Sequence, residues 1–189
     1  YVGTDDGLVQ LTRDGGKSWT NVTPAGLAVG LANELEVSPH DPGTVYLAFR
    51  LDRRGDYTPY PMKSTDYGRT WTRISTGMRD GEPVRVIRED PERKGLLYAG
   101  TETGAYLSFD AGAHWQPFSQ NLPNVPVTGL DVRHGNLYAS TEGRAFWALD
   151  DLSAVRQLNA DVAKAAVHLF TPRDAMLVPG SQGRNTGAG

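Results

Sequence analysis

The chain has 189 residues, no cysteine and a formal net charge of −3. This length allows one or perhaps two domains, and the lack of cysteine excludes disulfides and thiolate metal sites. Lys and Arg are scattered, so no basic stripe for tracking phosphates is expected, and no apolar run is long enough to span a bilayer.

In chain order, Tyr1-Val2-Gly3-Thr4 reads as a short strand, followed by Thr12-Arg13-Asp14-Gly15-Gly16-Lys17-Ser18-Trp19. That octet has the chemistry of a tight β-hairpin. The Asp accepts hydrogen bonds from turn amides, the Gly supplies a permissive backbone, and the Trp packs beneath. A second copy opens with strands over residues 33–38 and 45–49, separated by the turn His40-Asp41-Pro42-Gly43. It continues with a strand at 60–64, the octet Ser64-Thr65-Asp66-Tyr67-Gly68-Arg69-Thr70-Trp71, and a strand at 71–74. The third copy has strands at 84–88, 96–101, 105–108 and 114–118, with Ser108-Phe109-Asp110-Ala111-Gly112-Ala113-His114-Trp115 as its hairpin.

The fourth copy keeps three strands, at 127–133, 137–141 and 146–149, but its hairpin is eroded to Ala148-Leu149-Asp150-Asp151-Leu152, with neither Gly nor Trp. Beyond Leu158 the repeat stops. Residues 159–166 read as a short helix capped by Asn159. Residues 168–170 and 176–178 read as short strands, and the Gly-rich stretch 180–189 as a flexible end.

The repeat is longer than its hairpin. Tyr1, Tyr46, Tyr98 and Tyr138 follow one another at intervals of 45, 52 and 40 residues, a spacing typical of propellers and solenoids. Four antiparallel strands per copy make a propeller blade. The expectation is an all-β fold: a partial β-propeller of about three and a half blades over residues 1–24, 31–75, 84–118 and 127–158, with a tail at 159–189. The first blade lacks its opening strand, and three full hairpins plus an eroded one do not close an ordinary propeller. The chain is therefore expected to be a piece of a longer protein, completed by the rest of its own propeller or by another chain.

The hairpins resemble the Asp-box, or BNR repeat, S/T-x-D-x-G-x-S/T-W, of sialidases, xyloglucanase-type glycoside hydrolases and sortilin/Vps10 propellers. The match is close at residues 12–19 and 64–71, while the third box has His114 in place of Ser or Thr. The surrounding strings look most like large bacterial sortilin-like or glycosyl-hydrolase-like proteins. The resemblance implies a bacterial source and an extracytoplasmic or secreted location. It also implies that ligands use the face opposite the Asp-boxes. On that reading Asp14, Trp19, Asp66, Trp71, Asp110 and Trp115 are structural, and no metal or other cofactor is expected, since one carboxylate per hairpin falls short of the oxygen ligands calcium needs.

The opposite face would hold Asp5, Asp6, Glu102, Glu142, Arg144 and residues 51–60, which read as a long inserted loop. Asp52, Arg53, Arg54, Asp56, Tyr57 and Tyr60 in that insertion suit sugar hydroxyls, carboxylates or peptide groups. The histidines, His40, His114, His134 and His168, are dispersed and form no motif. Two function classes follow: a binding scaffold for a glycan, a peptide or a neighbouring domain, or part of a sialidase- or xyloglucanase-like hydrolase using a carboxylate pair from the loop face.

Overall fold

A computed structural model describes residues 1–174. Residues 176–178 and 180–189, expected as a strand and a flexible end, lie outside the described residues. The chain divides into two compact units, Tyr1–Leu152 and the residues from Ser153 onward. The first is all-β and forms a partial β-propeller.

Four antiparallel sheets follow one another in chain order, each a blade. Blade 1 contains β1 (Val2–Gly3), β2 (Val9–Leu11) and β3 (Thr20–Asn21). Blade 2 contains β4 (Leu31–Val37), β5 (Val45–Leu51), β6 (Asp56–Ser64) and β7 (Thr72–Arg73). Blade 3 contains β8 (Val84–Glu89), β9 (Leu97–Thr101), β10 (Ala105–Ser108) and β11 (Gln116–Pro117). Blade 4 contains β12 (Val127–Arg133), β13 (Asn136–Thr141) and β14 (Phe146–Leu149). Among the described residues, blade 1 has no counterpart of β4, β8 and β12, and blade 4 has no counterpart of β7 and β11.

Strands β5 and β9 read as almost continuous apolar runs because blades cover them on both faces, and every residue of β9 is buried. Core clusters lie between blades. Val9, Val22, Ala32, Leu47, Phe49 and Met62 join blades 1 and 2. Tyr46, Ala48, Ile87, Leu97, Ala99, Tyr106 and Trp115 join blades 2 and 3.

The Asp-centred hairpins share one hydrogen-bond plan. Thr12, Ser64 and Ser108 each donate a hydroxyl to the Asp two residues on, at 2.9, 2.7 and 2.8 Å. Each also accepts from the Gly amide four residues on, at 2.8, 2.8 and 2.9 Å. Asp14 then accepts from the Ser18 amide and hydroxyl, and Asp66 does the same with Thr70. In the third hairpin the His114 amide occupies the first position at 2.8 Å, and its Nδ1 meets the second Asp110 oxygen at 2.7 Å. Imidazole therefore takes the place of the hydroxyl.

The tryptophans tie blades together. Trp71 Nε1 donates to Val22 O at 2.7 Å and Trp115 Nε1 to Ile74 O at 2.6 Å, each reaching the end of the preceding blade. Trp19 is 48% exposed, against 4% for Trp115.

The expected inserted loop at 51–60 is instead a lengthened hairpin. Strand β5 continues to Leu51, a 3-10 turn spans Asp52–Arg54, and β6 already begins at Asp56. The polar and proline-containing sequence hid this pairing, but Leu51 still faces Asp56 across the hairpin. In the second unit, α1 spans Ser153–Gln157 and α2 spans Ala160–Lys164. Asn159 caps α2 by accepting from the Asp161 and Val162 amides. Residues 168–170 form no strand; the His168 and Phe170 rings pack edge to face at 4.7 Å.

Candidate functional site

An up-and-down blade places its β-turns alternately on two faces. The Asp-centred hairpins and the turns after β4 and β8 lie on one face. Residues 4–8, 52–55, 102–104 and 142–145 connect strands on the other.

On this second face a chain of ion pairs crosses blades 2, 3 and 4. Arg50 holds Asp52 through Nε at 3.0 Å and Nη2 at 2.6 Å, and reaches Glu102 at 2.9 Å. Glu102 also accepts from Arg85 Nε at 2.7 Å and Nη2 at 2.9 Å. Arg85 extends to Glu142 at 3.4 Å. The order Asp52, Arg50, Glu102, Arg85, Glu142 alternates in sign. Its centre is largely shielded, with side-chain exposures of 10% for Arg50, 19% for Arg85 and 25% for Glu102. Shielding strengthens such pairs, and the two-pronged arginine contacts fix the carboxylate planes.

Neither Arg50 nor Arg85 was apparent as a site residue from the sequence, because each looks like a polar position within a strand. Strand register explains their reach. The β8–β9 pairing shifts between Val84 and Val86, and the β5–β6 pairing between Phe49 and Leu51. Each irregularity re-aims the intervening side chain out of the ordinary alternation. Equivalent shifts bracket Asn33 and Thr128, and Asn33 Nδ2 donates to Arg85 O. The same device recurs in the first strand of all three blades that possess one. A conspicuously polar residue near the start of an otherwise apolar inner strand was the available signal.

Beside the ion chain, a cleft of ≈ 300 Å³ opens between blades 1 and 2, lined by Asp5, Asp6, Val29, Gly30, Leu31, Arg50, Leu51, Arg53 and Arg54. Arg53 and Arg54 are exposed on the 3-10 turn. The cleft therefore combines an apolar floor with acidic and guanidinium groups on its rim. Asp6 lies below the usual carboxylate range because the Thr4 hydroxyl donates to it.

Other expected residues are placed apart from this cleft or committed elsewhere. Asp56 accepts from the Thr58 amide at 2.9 Å and the Tyr60 hydroxyl at 2.7 Å. Hydrogen bonds from Thr58, then Tyr60, hold its carboxyl low, and the same bond to Asp56 raises Tyr60. The Arg73 guanidinium lies 5.0 Å from the Tyr60 ring centre. Tyr57 is 56% exposed. Arg144 is exposed, and its carbonyl accepts from Trp147 Nε1 at 2.9 Å.

On the hairpin face, hydrogen bonds from Ser18 and Thr70 draw Asp14 and Asp66 down to about 2. Partial burial pushes Asp110 upward, but hydrogen bonds from His114 and Ser108 outweigh it and the net displacement is downward. Glu36, raised by burial, lies at the far end of β4 from the cleft, 3.5 Å from Arg88.

No helix among the described residues is long and apolar enough to cross a membrane. No protein-family model and no curated protein matches the chain. Among solved structures, that of YCF48 bound to D1 peptide is similar at 21% identity and a TM-score of 0.58, over 78% of this chain and 45% of that one. YCF48 from Cyanidioschyzon merolae gives 15% identity and 0.51, over 90% and 50%. The GH74 xyloglucanase from Xanthomonas campestris gives 19% and 0.55, over 79% and 27%. The chain thus spans half or less of each of these proteins. These likenesses carry the propeller fold.

Proposed function

We propose that this chain is part of a larger Asp-box propeller serving as a binding scaffold, and that the face opposite its Asp-centred hairpins takes a peptide. The observation that carries this reading is the commitment of Asp52 and Glu102 to the loop-face ion chain. Glu102 accepts three arginine N–H groups, and Asp52 accepts two from Arg50. A glycosidase pair needs one carboxyl free to protonate a leaving group and another free to attack or activate water. Carboxylates used as arginine clamps instead build a rigid floor.

The adjoining cleft supplies what a peptide needs. Val29, Leu31 and Leu51 offer apolar contact, and the exposed Arg53 and Arg54 offer fork-shaped donors for carbonyl and carboxylate oxygens. The similarity to YCF48, solved with a D1 peptide, is one support for a peptide ligand. The Asp-box assignment rests on the shared hydrogen-bond plan of the three hairpins.

Selection from a displayed random-peptide library on the immobilised chain tests the reading. Selected peptides should bind the parent and lose at least about tenfold in affinity to an Arg53→Ala/Arg54→Ala variant. Undiminished binding to that variant would refute the assignment of this face. Incubation with xyloglucan and sialosides is the counter-test, and release of reducing ends or free sialic acid would establish the hydrolase instead.

A further inference from the structure

Glu82 is a buried carboxylate outside the ion chain. It is 5% exposed, accepts the Tyr106 hydroxyl at 2.7 Å and meets Arg79 Nη1 at 3.2 Å. The other blades show that the fold does not require it. The register shifts bracket Asn33, Arg85 and Thr128 at equivalent positions, and three residues before each of these stand Gly30, Glu82 and Val125. The strand registers also align Tyr106, paired with Ala99, with Met62, paired with Leu47, and with Trp147, paired with Ala139. A hydrogen-bonded acid and phenol thus occupy two positions of blade 3 that blades 2 and 4 fill without either group.

Taking a carboxylate out of water is costly unless a close and well-shielded cation compensates it. The cation at Glu82 is Arg79, whose side chain is 75% exposed. A contact that open to solvent contributes little. The orientation of Glu82 is set instead by Tyr106, whose hydroxyl donates to Oε2 while accepting from the Arg79 amide at 3.4 Å. Burial, and then the bond to Glu82, raises the phenol and keeps it a neutral donor. A carboxylate has about four acceptor positions, so Glu82 retains room for further donors.

A pocket of ≈ 220 Å³ opens onto this pair. Glu82 and Tyr106 are its buried residues, Leu122 and Pro117 give it apolar walls, and Thr103 and Asn124 add polar groups. It lies on the same face as the ion chain, because residues 102–104 and the segments joining β7 to β8 and β11 to β12 all connect strands there. Its lining comes from blade 3 and the two connections that flank it.

We infer that this pocket receives a basic side chain of the bound peptide, with its ammonium or guanidinium group meeting the Glu82 carboxylate in place of Arg79 Nη1. The inference rests on the reading of this face as a peptide-binding one, and adds to it the charge of one ligand residue. The methylene stem of a lysine or arginine would run along Leu122 and Pro117, as such stems do on apolar surface. Arg79, already exposed, would turn out to solvent. An acidic side chain entering the pocket would meet the like charge of Glu82, which disfavours it.

The probe is Nα-acetyl-lysine N-methylamide, titrated at constant ionic strength into the isotope-labelled full chain and followed through the Gly104 and Ser119 amide resonances. Saturable shifts are expected with a Kd of about 1–10 mM, and the norleucine and glutamate counterparts should bind at least about tenfold more weakly. Glu82→Gln, which keeps an acceptor for Tyr106, should abolish the preference for lysine. Arg79→Ala, which removes the competing cation, should tighten the lysine probe several-fold. Comparison of the three probes on the parent chain keeps the test decisive if a variant misfolds. No saturation up to about 30 mM, equal binding of the lysine and norleucine probes, or weaker lysine binding by folded Arg79→Ala would overturn the inference. Preference for the glutamate probe would also overturn it, by making Arg79 the recognising group. The lysine probe does not involve the cleft between blades 1 and 2. Its failure, with library peptides still weakened by Arg53→Ala/Arg54→Ala, would therefore strike this pocket and spare the peptide reading.

Discussion

Trp115→Phe isolates what the inter-blade indole contributes, because three equivalent tryptophans sit in three environments. Trp115 is 4% exposed and donates to Ile74 O at 2.6 Å, whereas Trp19 is 48% exposed. Phenylalanine at 115 preserves most of the apolar contact but removes the donor to a partly buried carbonyl. A hydrogen bond contributes about 1 kcal/mol net, and an unsatisfied buried group costs about 1–3 kcal/mol, so a loss of roughly 2 kcal/mol is expected. Trp115→Ala adds a cavity and should cost about 3–5 kcal/mol. At this chain length those losses correspond to falls in Tm of roughly 4–8 °C and 6–20 °C. Trp19→Phe should cost no more than about 0.5 kcal/mol. Urea and thermal unfolding followed by far-UV circular dichroism would measure all three. Equal effects of Trp115→Phe and Trp19→Phe would refute the claim that the indole nitrogen locks adjacent blades.

Other expectations test separate parts of the structure. Gly112 has φ +90°, and a Cβ there would lie 2.3 Å from Ile74 Cδ1, while a Cβ at Gly15, φ +73°, meets nothing within 4 Å. Gly112→Ala should therefore cost about 1–3 kcal/mol more than Gly15→Ala in urea unfolding. Glu102→Ala strips the shared acceptor from Arg50 and Arg85 and should cost roughly 2 kcal/mol, whereas Glu102→Gln, which keeps an acceptor, should cost less. His114→Ser restores the hydroxyl found at Ser18 and Thr70 and should leave the midpoint within about 0.5 kcal/mol of the parent. The hairpin carboxyls have depressed folded values, with Asp14 and Asp66 at about 2 against an ordinary 3.8. Their contribution is complete above the ordinary value and is lost as pH falls toward 2. Asp66→Asn should flatten this acid limb of the stability–pH profile, and an unchanged limb would contradict the linkage.

The repeated octet and its spacing made the blades legible because each Asp and the hydroxyl residue before it find their hydrogen-bond partners within four residues, and a Trp closes every full copy. The erosion of the fourth copy was also readable, since its hairpin at 148–152 carries neither Gly nor Trp. The candidate site was only partly legible. Strand order puts Asp52, Glu102 and Glu142 together on the loop face, but Arg50 and Arg85, which connect them, depend on register shifts that alternation alone does not reveal. The polar segment 51–60 read as a loop because its hydrophilic residues mask β pairing. There the Thr58 amide and the Tyr60 hydroxyl donate to Asp56, and the turn at Asp52–Arg54 joins the two strands.

The central claim is that ligand recognition belongs to the face opposite the Asp-centred hairpins. Hydrogen–deuterium exchange of the full chain, with and without a library-selected peptide at saturation, tests it most directly. The account predicts slowed exchange at residues 4–8 and 51–56, with the hairpins at 12–19, 64–71 and 108–115 unchanged. Protection confined to those hairpins would contradict it.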